Sequence, residues 1–265
     1  MKIDKTQDIY YANKKSNCNF GAIPLARYET QKDTFVKVYQ LEKRDLPFVS
    51  RFIHNIKQYF ADKKIEDYSR REVMEESFGA AEKILSSPKK IKGKARIFLA
   101  VQDSNPCGIL IGNVLKESKG HKLAYSSRKN HSRKETELDW LATWNPFPDK
   151  KIKGTGKILA GEYFNTLKKD GFRDVYVRSE VPELSFAHDF YKKIGFEALK
   201  DNRESIIKSS SNKYLIGDFD NPKEDIIPMI AEPENINKVK HDISEKYNRQ
   251  KLINSSVSLE FLRVN

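Results

Sequence analysis

The 265-residue chain has only two cysteines, Cys18 and Cys107, widely separated. Two such residues can build neither a disulfide framework nor a zinc site, which excludes the small stapled secreted class and leads us to expect a reducing, cytoplasmic setting. Long apolar runs are missing too: nothing approaches the length of about 20 residues that spans a bilayer, and the N-terminus lacks a signal-peptide pattern. No internal repeat is present. Apolar residues make up 38% of the chain against 32% charged, enough for one core with decorations rather than two cores. Acid is in the minority: 37 Asp and Glu face 49 Lys and Arg, a net charge of +12 that favours anionic partners.

Apolar patterning is concentrated in the middle of the chain. Phe35 to Leu41 alternates as a first strand, and Asp45 with Pro47 opens a helix carrying Val49, Phe52, Ile53, Ile56, Tyr59 and Phe60 on one stripe. A second helix is expected from Asp67 to Leu85, with Val73, Met74, Phe78, Ala81 and Leu85 inward. Two apolar strands, 96–101 and 108–115, read as a hairpin turning through Asp103-Ser104-Asn105-Pro106. Glu137 to Trp144 follows as a strand whose alternation puts Glu137, Asp139, Leu141 and Thr143 on one face. It feeds the turn Lys151-Ile152-Lys153-Gly154-Thr155-Gly156-Lys157, whose glycines open a helix bearing Ile158, Leu159, Tyr163, Phe164 and Leu167. Glycines there let the backbone approach a ligand closely, and the helix's first N–H groups and dipole suit an anion such as a pyrophosphate. A short strand, 173–178, and a helix entered at Pro182 and closed by Gly195 complete the run.

Two of these segments resemble a known family. Lys151 to Gly156 has a basic residue, two variable positions, Gly, one variable position and Gly. This is similar to the cofactor turn of the GNAT superfamily of acetyl-CoA-dependent N-acetyltransferases. Ala187-x-x-Phe190-Tyr191-x-x-x-Gly195-Phe196 resembles that family's second signature and follows at the expected distance. The likeness extends less sharply from Phe35 to Phe219. It implies an α+β fold in three layers, a mixed, mostly antiparallel central sheet flanked by helices. The organisation expected is a polar N-terminal arm over 1–33, the acyltransferase domain over 34–220, and a C-terminal extension over 221–265. That extension holds a helix stripe, Ile236, Val239, Ile243 and Tyr247, and an alternating stretch, Val257 to Phe261.

The resemblance also implies a chemistry. An amine attacks the acetyl-CoA thioester directly, so a base must take a proton from the amine, the oxyanion must be stabilised and the leaving thiolate must be protonated. Tyr191 stands where the family keeps its proton donor, and Glu137 or Asp139 stands on the strand that often bears the base; their spacing does not choose between them. Leu141, Ala142 and Thr143 are expected to pair with the pantetheine amides, and the turn from Lys151 to Lys157 to hold the pyrophosphate, with no metal required. The chain departs from the family pattern in its long link Trp144 to Lys150 and in Leu184, where an Asn is common. His188 reads as a partly exposed helix residue. Basic clusters at Lys89 to Arg96 and Lys116 to Lys134 leave a second class open: a non-catalytic protein of the same fold whose basic loops contact RNA or a ribonucleoprotein. The acceptor, a primary amine of a small molecule or protein, is not specified by any motif, nor is the oligomeric state.

Overall fold

Ala26, Tyr28, Val36 and Val38 alternate with more exposed neighbours, a period of two that makes adjacent strands of Ile23–Gln31 (β1) and Thr34–Leu41 (β2). In the computed structural model, which describes residues 21–32, 34–63, 68–87, 95–114, 134–146, 153–169, 172–180, 187–198, 226–252, 257 and 259, these begin a nine-stranded sheet. The others are β3 (Ala95–Gln102), β4 (Asn105–Val114), β5 (Lys134–Thr143), β6 (Phe172–Glu180), β7 (Glu197–Ala198), β8 (Ile226–Ala231) and β9 (Gln250–Lys251). The spatial order is β7-β8-β6-β5-β4-β3-β2-β1-β9, and every pair is antiparallel except β5 with β6. The mixed, mostly antiparallel sheet expected from the sequence is therefore present.

Helices cover both faces. On one side α1 (Leu46–Lys63) and α2 (Tyr68–Ser86) bury Val49, Phe52, Ile56, Phe78 and Leu85 against Leu99, Ile109, Ile111 and Trp144. Phe52 and Phe78 rings lie 4.3 Å apart at 39°, an offset arrangement that fixes the two helices together. Entry to α1 is set by reciprocal bonds between Glu42 and Asp45, the Asp45 carboxylate accepting from the Glu42 N–H at 2.7 Å. On the other side α3 (Thr155–Lys169), α4 (Ala187–Lys193) and α5 (Pro233–Lys246) cover a second cluster that includes Phe98, Leu110, Leu138, Phe164 and Val177. Val73, expected inside, is instead 37% exposed.

Three differences from the sequence expectations concern organisation. The arm expected over 1–33 contains β1, so Phe35 to Leu41 belongs to the second strand, and residues 1–20 lie outside the described residues. The boundary expected at 220 is displaced, because β8 is an interior strand pairing with β6 on one side and β7 on the other. Of the strand expected over 257–261, Val257 bridges Ala22 and Leu259 is buried in the cluster under α1 and α2, while 258, 260 and 261 lie outside the described residues. The hairpin turn also tightens: Asp103 and Ser104 both take positive φ, 47° and 64°, the two-residue form whose twist matches the flanking strands.

After β8 the chain crosses the α3 face to the far edge. Along α5 a single ridge, Val239, Ile243 and Tyr247, lands on three glycines. A Cβ built on Gly195 would sit 3.0 Å from Val239 Cγ2, one on Gly161 3.0 Å from Ile243 Cγ2, and one on Gly154 2.3 Å from the Tyr247 hydroxyl. Beyond the helix, β9 pairs with β1 through Ala26 and Arg27. Arg249 then reaches a buried carboxylate, Glu162 of α3, which also accepts from the Tyr28 hydroxyl and, at 3.2 Å, from Asn165. Burial, then the charge of Glu162, raises the Tyr28 phenol well above its ordinary value. Burial pulls the Arg249 guanidinium down, but its hydrogen bond and charge pairing with Glu162 more than offset this.

Candidate functional site

The parallel pair β5 and β6 is joined only at its start. Partners run from Lys134 with Phe172 to Glu137 with Tyr176; beyond that point Leu138 to Thr143 have no partner on β6, while β6 stays paired along its other edge with β8 from Val175 to Glu180. The two strands splay apart. A strand edge left open in this way presents backbone N–H and C=O groups to whatever enters the gap.

A bulge shapes the same strand. Ile111 pairs with Trp140 and Gly112 with Leu138, so Asp139 is the extra residue. Alternation therefore breaks there: Leu138 and Leu141, three apart, both pack on the α3 side, whereas Trp140 and Ala142 pack on the α1 and α2 side. The expected single face of Glu137, Asp139, Leu141 and Thr143 does not exist. Glu137 lies between Thr136 and Leu138 and so projects to the α1 and α2 side half-buried, Asp139 is exposed at the bulge, and Thr143 is exposed at the strand's end. Below them Tyr163 of α3, fully buried, shares a 2.6 Å hydrogen bond with the Thr136 hydroxyl and donates to the Glu137 carbonyl at 3.2 Å. Burial raises the Tyr163 phenol well above its ordinary value.

The glycine turn sits against the end of this strand. Gly154 takes φ +91°, the left-handed region that favours glycine, and its carbonyl accepts the first helical bond from Ile158 at 3.0 Å. Helix geometry thus leaves the amides of Thr155, Gly156 and Lys157 without an intrahelical acceptor. No acid lies in the first turn of α3, and Lys153 is exposed beside it. A Cβ on Gly156 would come within 3.1 Å of Phe190 and 3.6 Å of Thr143, so β5, α3 and α4 converge on this point. Beneath it Cys107 is fully buried, and burial pushes its thiol up to about 12, so it is no nucleophile.

Of the residues expected in the site, Leu141, Ala142, Thr143, Gly154, Thr155, Gly156 and Lys157 thus meet at one end of the splay. Lys151 and Ile152, Leu184 and both basic clusters other than Ala95 and Arg96 at the start of β3 and Lys134 lie outside the described residues. Tyr191, on α4 beside Phe190, is 9% exposed and packs edge-to-face with Phe190 and with Phe196 at 5.6 Å. His188 is a correction: it is 4% exposed rather than partly open, and its Nδ1 lacks a partner. Sequence reasoning missed Tyr247, whose ring packs on the turn from the C-terminal side; its position in the α5 ridge identified it as apolar stripe and nothing more. On the outer side of α2, whose Ser77 hydroxyl accepts from Trp140 Nε1 at 2.7 Å, a hollow of about 360 Å³ is lined by Arg71, Glu72, Glu75 and Glu76. No group of three or more potential metal ligands occurs among the described residues. None of their helices is long and apolar enough to cross a membrane.

No protein-family model matches the chain, and no curated protein matches it by sequence. Solved structures do resemble it at low identity. One is the PaiA N-acetyltransferase of Thermoplasma acidophilum in complex with coenzyme A, 15% identical, covering 74% of this chain and 98% of that one, with a TM-score of 0.42. Another is an aminoglycoside acetyltransferase from an uncultured soil metagenomic sample in complex with sisomicin, 21% identical over 59% of this chain and 85% of that one, TM-score 0.37. A third, an uncharacterized protein of Bacillus halodurans, is 11% identical over 84% and 98%, TM-score 0.47.

Proposed function

We propose that the protein is an acetyltransferase of the GNAT type that moves the acetyl group of acetyl-CoA directly onto a primary amine. One observation supports the reading: past Glu137 the β5 edge is not paired to β6, and its end, Leu141 to Thr143, meets a helix terminus whose first amides lack intrahelical acceptors, so amide groups and a terminus suited to an anion lie end to end. A molecule with amides along one arm and phosphates at its end matches that sequence of donors. Leu141 to Thr143 would hold the pantetheine amides, and the turn from Lys151 to Lys157 the pyrophosphate, aided by lysine charge.

The thioester supplies an activated acetyl carbon. The chain's own groups then handle protons: Glu137 or Asp139 takes one from the amine as the C–N bond forms, and Tyr191 gives one to the sulfur as the C–S bond breaks.

Incubating the protein with acetyl-CoA and a panel of amines and peptides, and reading acetyl addition by mass spectrometry, tests the activity. Tyr191→Phe is expected to lose turnover with little change in acetyl-CoA affinity; unchanged turnover removes Tyr191 from the reaction. Separate Glu137→Gln and Asp139→Asn variants identify the base by which one flattens the pH–rate profile. Should acetyl-CoA give no thermal shift while RNA gives a salt-sensitive one, the basic, non-catalytic reading replaces this one.

A further inference from the structure

The α3 terminus is approached from a side that its own strand and turn do not supply. Tyr247, the residue that caps α5, lies 7% exposed with its hydroxyl directed at Gly154, close enough that any side chain there would collide with it. That hydroxyl makes no hydrogen bond among the described residues, and the Lys246 ammonium lies 5.4 Å from the ring centroid. A phenol hydroxyl not engaged by any described residue, set beside three amides that lack intrahelical acceptors and beside the buried, unpartnered Thr155 Oγ1, offers a donor to a ligand at this terminus. The neighbouring cations Lys246, Lys153 and Lys157 match that acceptor to an anion.

We infer that Tyr247 is a phosphate-binding residue: its hydroxyl donates to the diphosphate held at the start of α3, so the C-terminal segment completes the donor site rather than merely covering α3. The inference rests on the acyl-CoA reading for the identity of the diphosphate. The segment is held in place independently, by β9 on β1 and by Arg249 on Glu162.

Tyr247→Phe keeps the ring on Gly154 and removes only the oxygen. Calorimetric titration of the full chain and this variant with CoA, pantetheine and inorganic pyrophosphate provides the test. The expected result is CoA and pyrophosphate binding weakened about tenfold, with pantetheine, which lacks the phosphates, unchanged. Unchanged CoA affinity in the variant overturns the inference, as does equal weakening of CoA and pantetheine, which would mean a packing role. If the parent chain binds no CoA, the acyl-CoA reading falls by itself. Pyrophosphate then decides alone: binding that needs the Tyr247 hydroxyl upholds an anion site, and binding indifferent to it removes the site.

Discussion

Breaking the link between Glu162 and Arg249 tests whether the C-terminal segment is part of the folded core. The Glu162 side chain is 2% exposed and that of Arg249 22%. Replacing Arg249 with Met leaves a buried carboxylate whose remaining donors are Tyr28 and Asn165. Losing one partner of a fully buried pair costs about 3–5 kcal/mol; residual water access at Arg249 and the two remaining donors bring the expectation to about 2–3 kcal/mol. Glu162→Met removes the acceptor of the fully buried Tyr28 hydroxyl, which keeps the Arg249 Nε–H as its donor at 3.2 Å, a loss of about 1–3 kcal/mol. In the double variant no unpaired charge remains and only Tyr28 lacks its acceptor, so the combined loss should fall below the sum by about 2 kcal/mol. Urea unfolding of the four proteins at pH 7 gives this coupling energy directly. A coupling below about 0.5 kcal/mol would mean that Arg249 is solvated in solution and that the segment is not latched there.

Two further outcomes are expected. Gly112→Ala should destabilise the fold by about 1–3 kcal/mol in thermal or urea unfolding, because the new Cβ would lie 2.3 Å from the buried Tyr163 ring; a second change of Tyr163 to Val should recover part of the loss. Asp45, pushed by burial to about 6 from its ordinary 3.8, binds its proton more tightly folded than unfolded, so its contribution is complete below pH 4 and is lost as pH rises through 6. The swing is about 2 kcal/mol after allowing for solvent screening, and Asp45→Asn, which keeps an acceptor for the Glu42 amide, should flatten stability across that window.

What could be read from the sequence was set by periodicity and punctuation. α3 and the α5 stripe were legible because several apolar residues recur at helical spacing, and Gly195 marked the end of α4, where it takes φ +89°. β1 was hidden because its buried positions, Pro24, Ala26 and Tyr28, include no branched aliphatic, while the aliphatics Ile23 and Leu25 fall on the less buried positions, so the apolar pattern does not alternate. β8 carries Pro228, a residue that argues against an interior strand, and its partners come from distant segments. The bulge at Asp139 left no sign, since a bulge is a relation between two strands and neither sequence alone contains it. For that reason the acids were placed on one face with Leu141; His188, expected near solvent, is instead on the buried face of α4.

The glycine turn shows how a correct location can rest on an incomplete reason. Gly154 is required by its φ and by Tyr247 occupying the place of its Cβ, and Gly156 by the approach of Phe190; neither requirement mentions a phosphate. A helix docking on α3 would select the same two glycines in a protein that binds nothing there. What packing does not call for is the gap beside them. Sheet stability favours continuing the β5 and β6 ladder past Glu137 and Tyr176, since each abandoned pair leaves backbone groups to be satisfied by something else. The chain instead ends that ladder beside a helix terminus with no acid in its first turn and beside the Tyr247 hydroxyl. The proposed ligand accounts for the splay and the donors beside it together, whereas helix docking accounts only for the glycines.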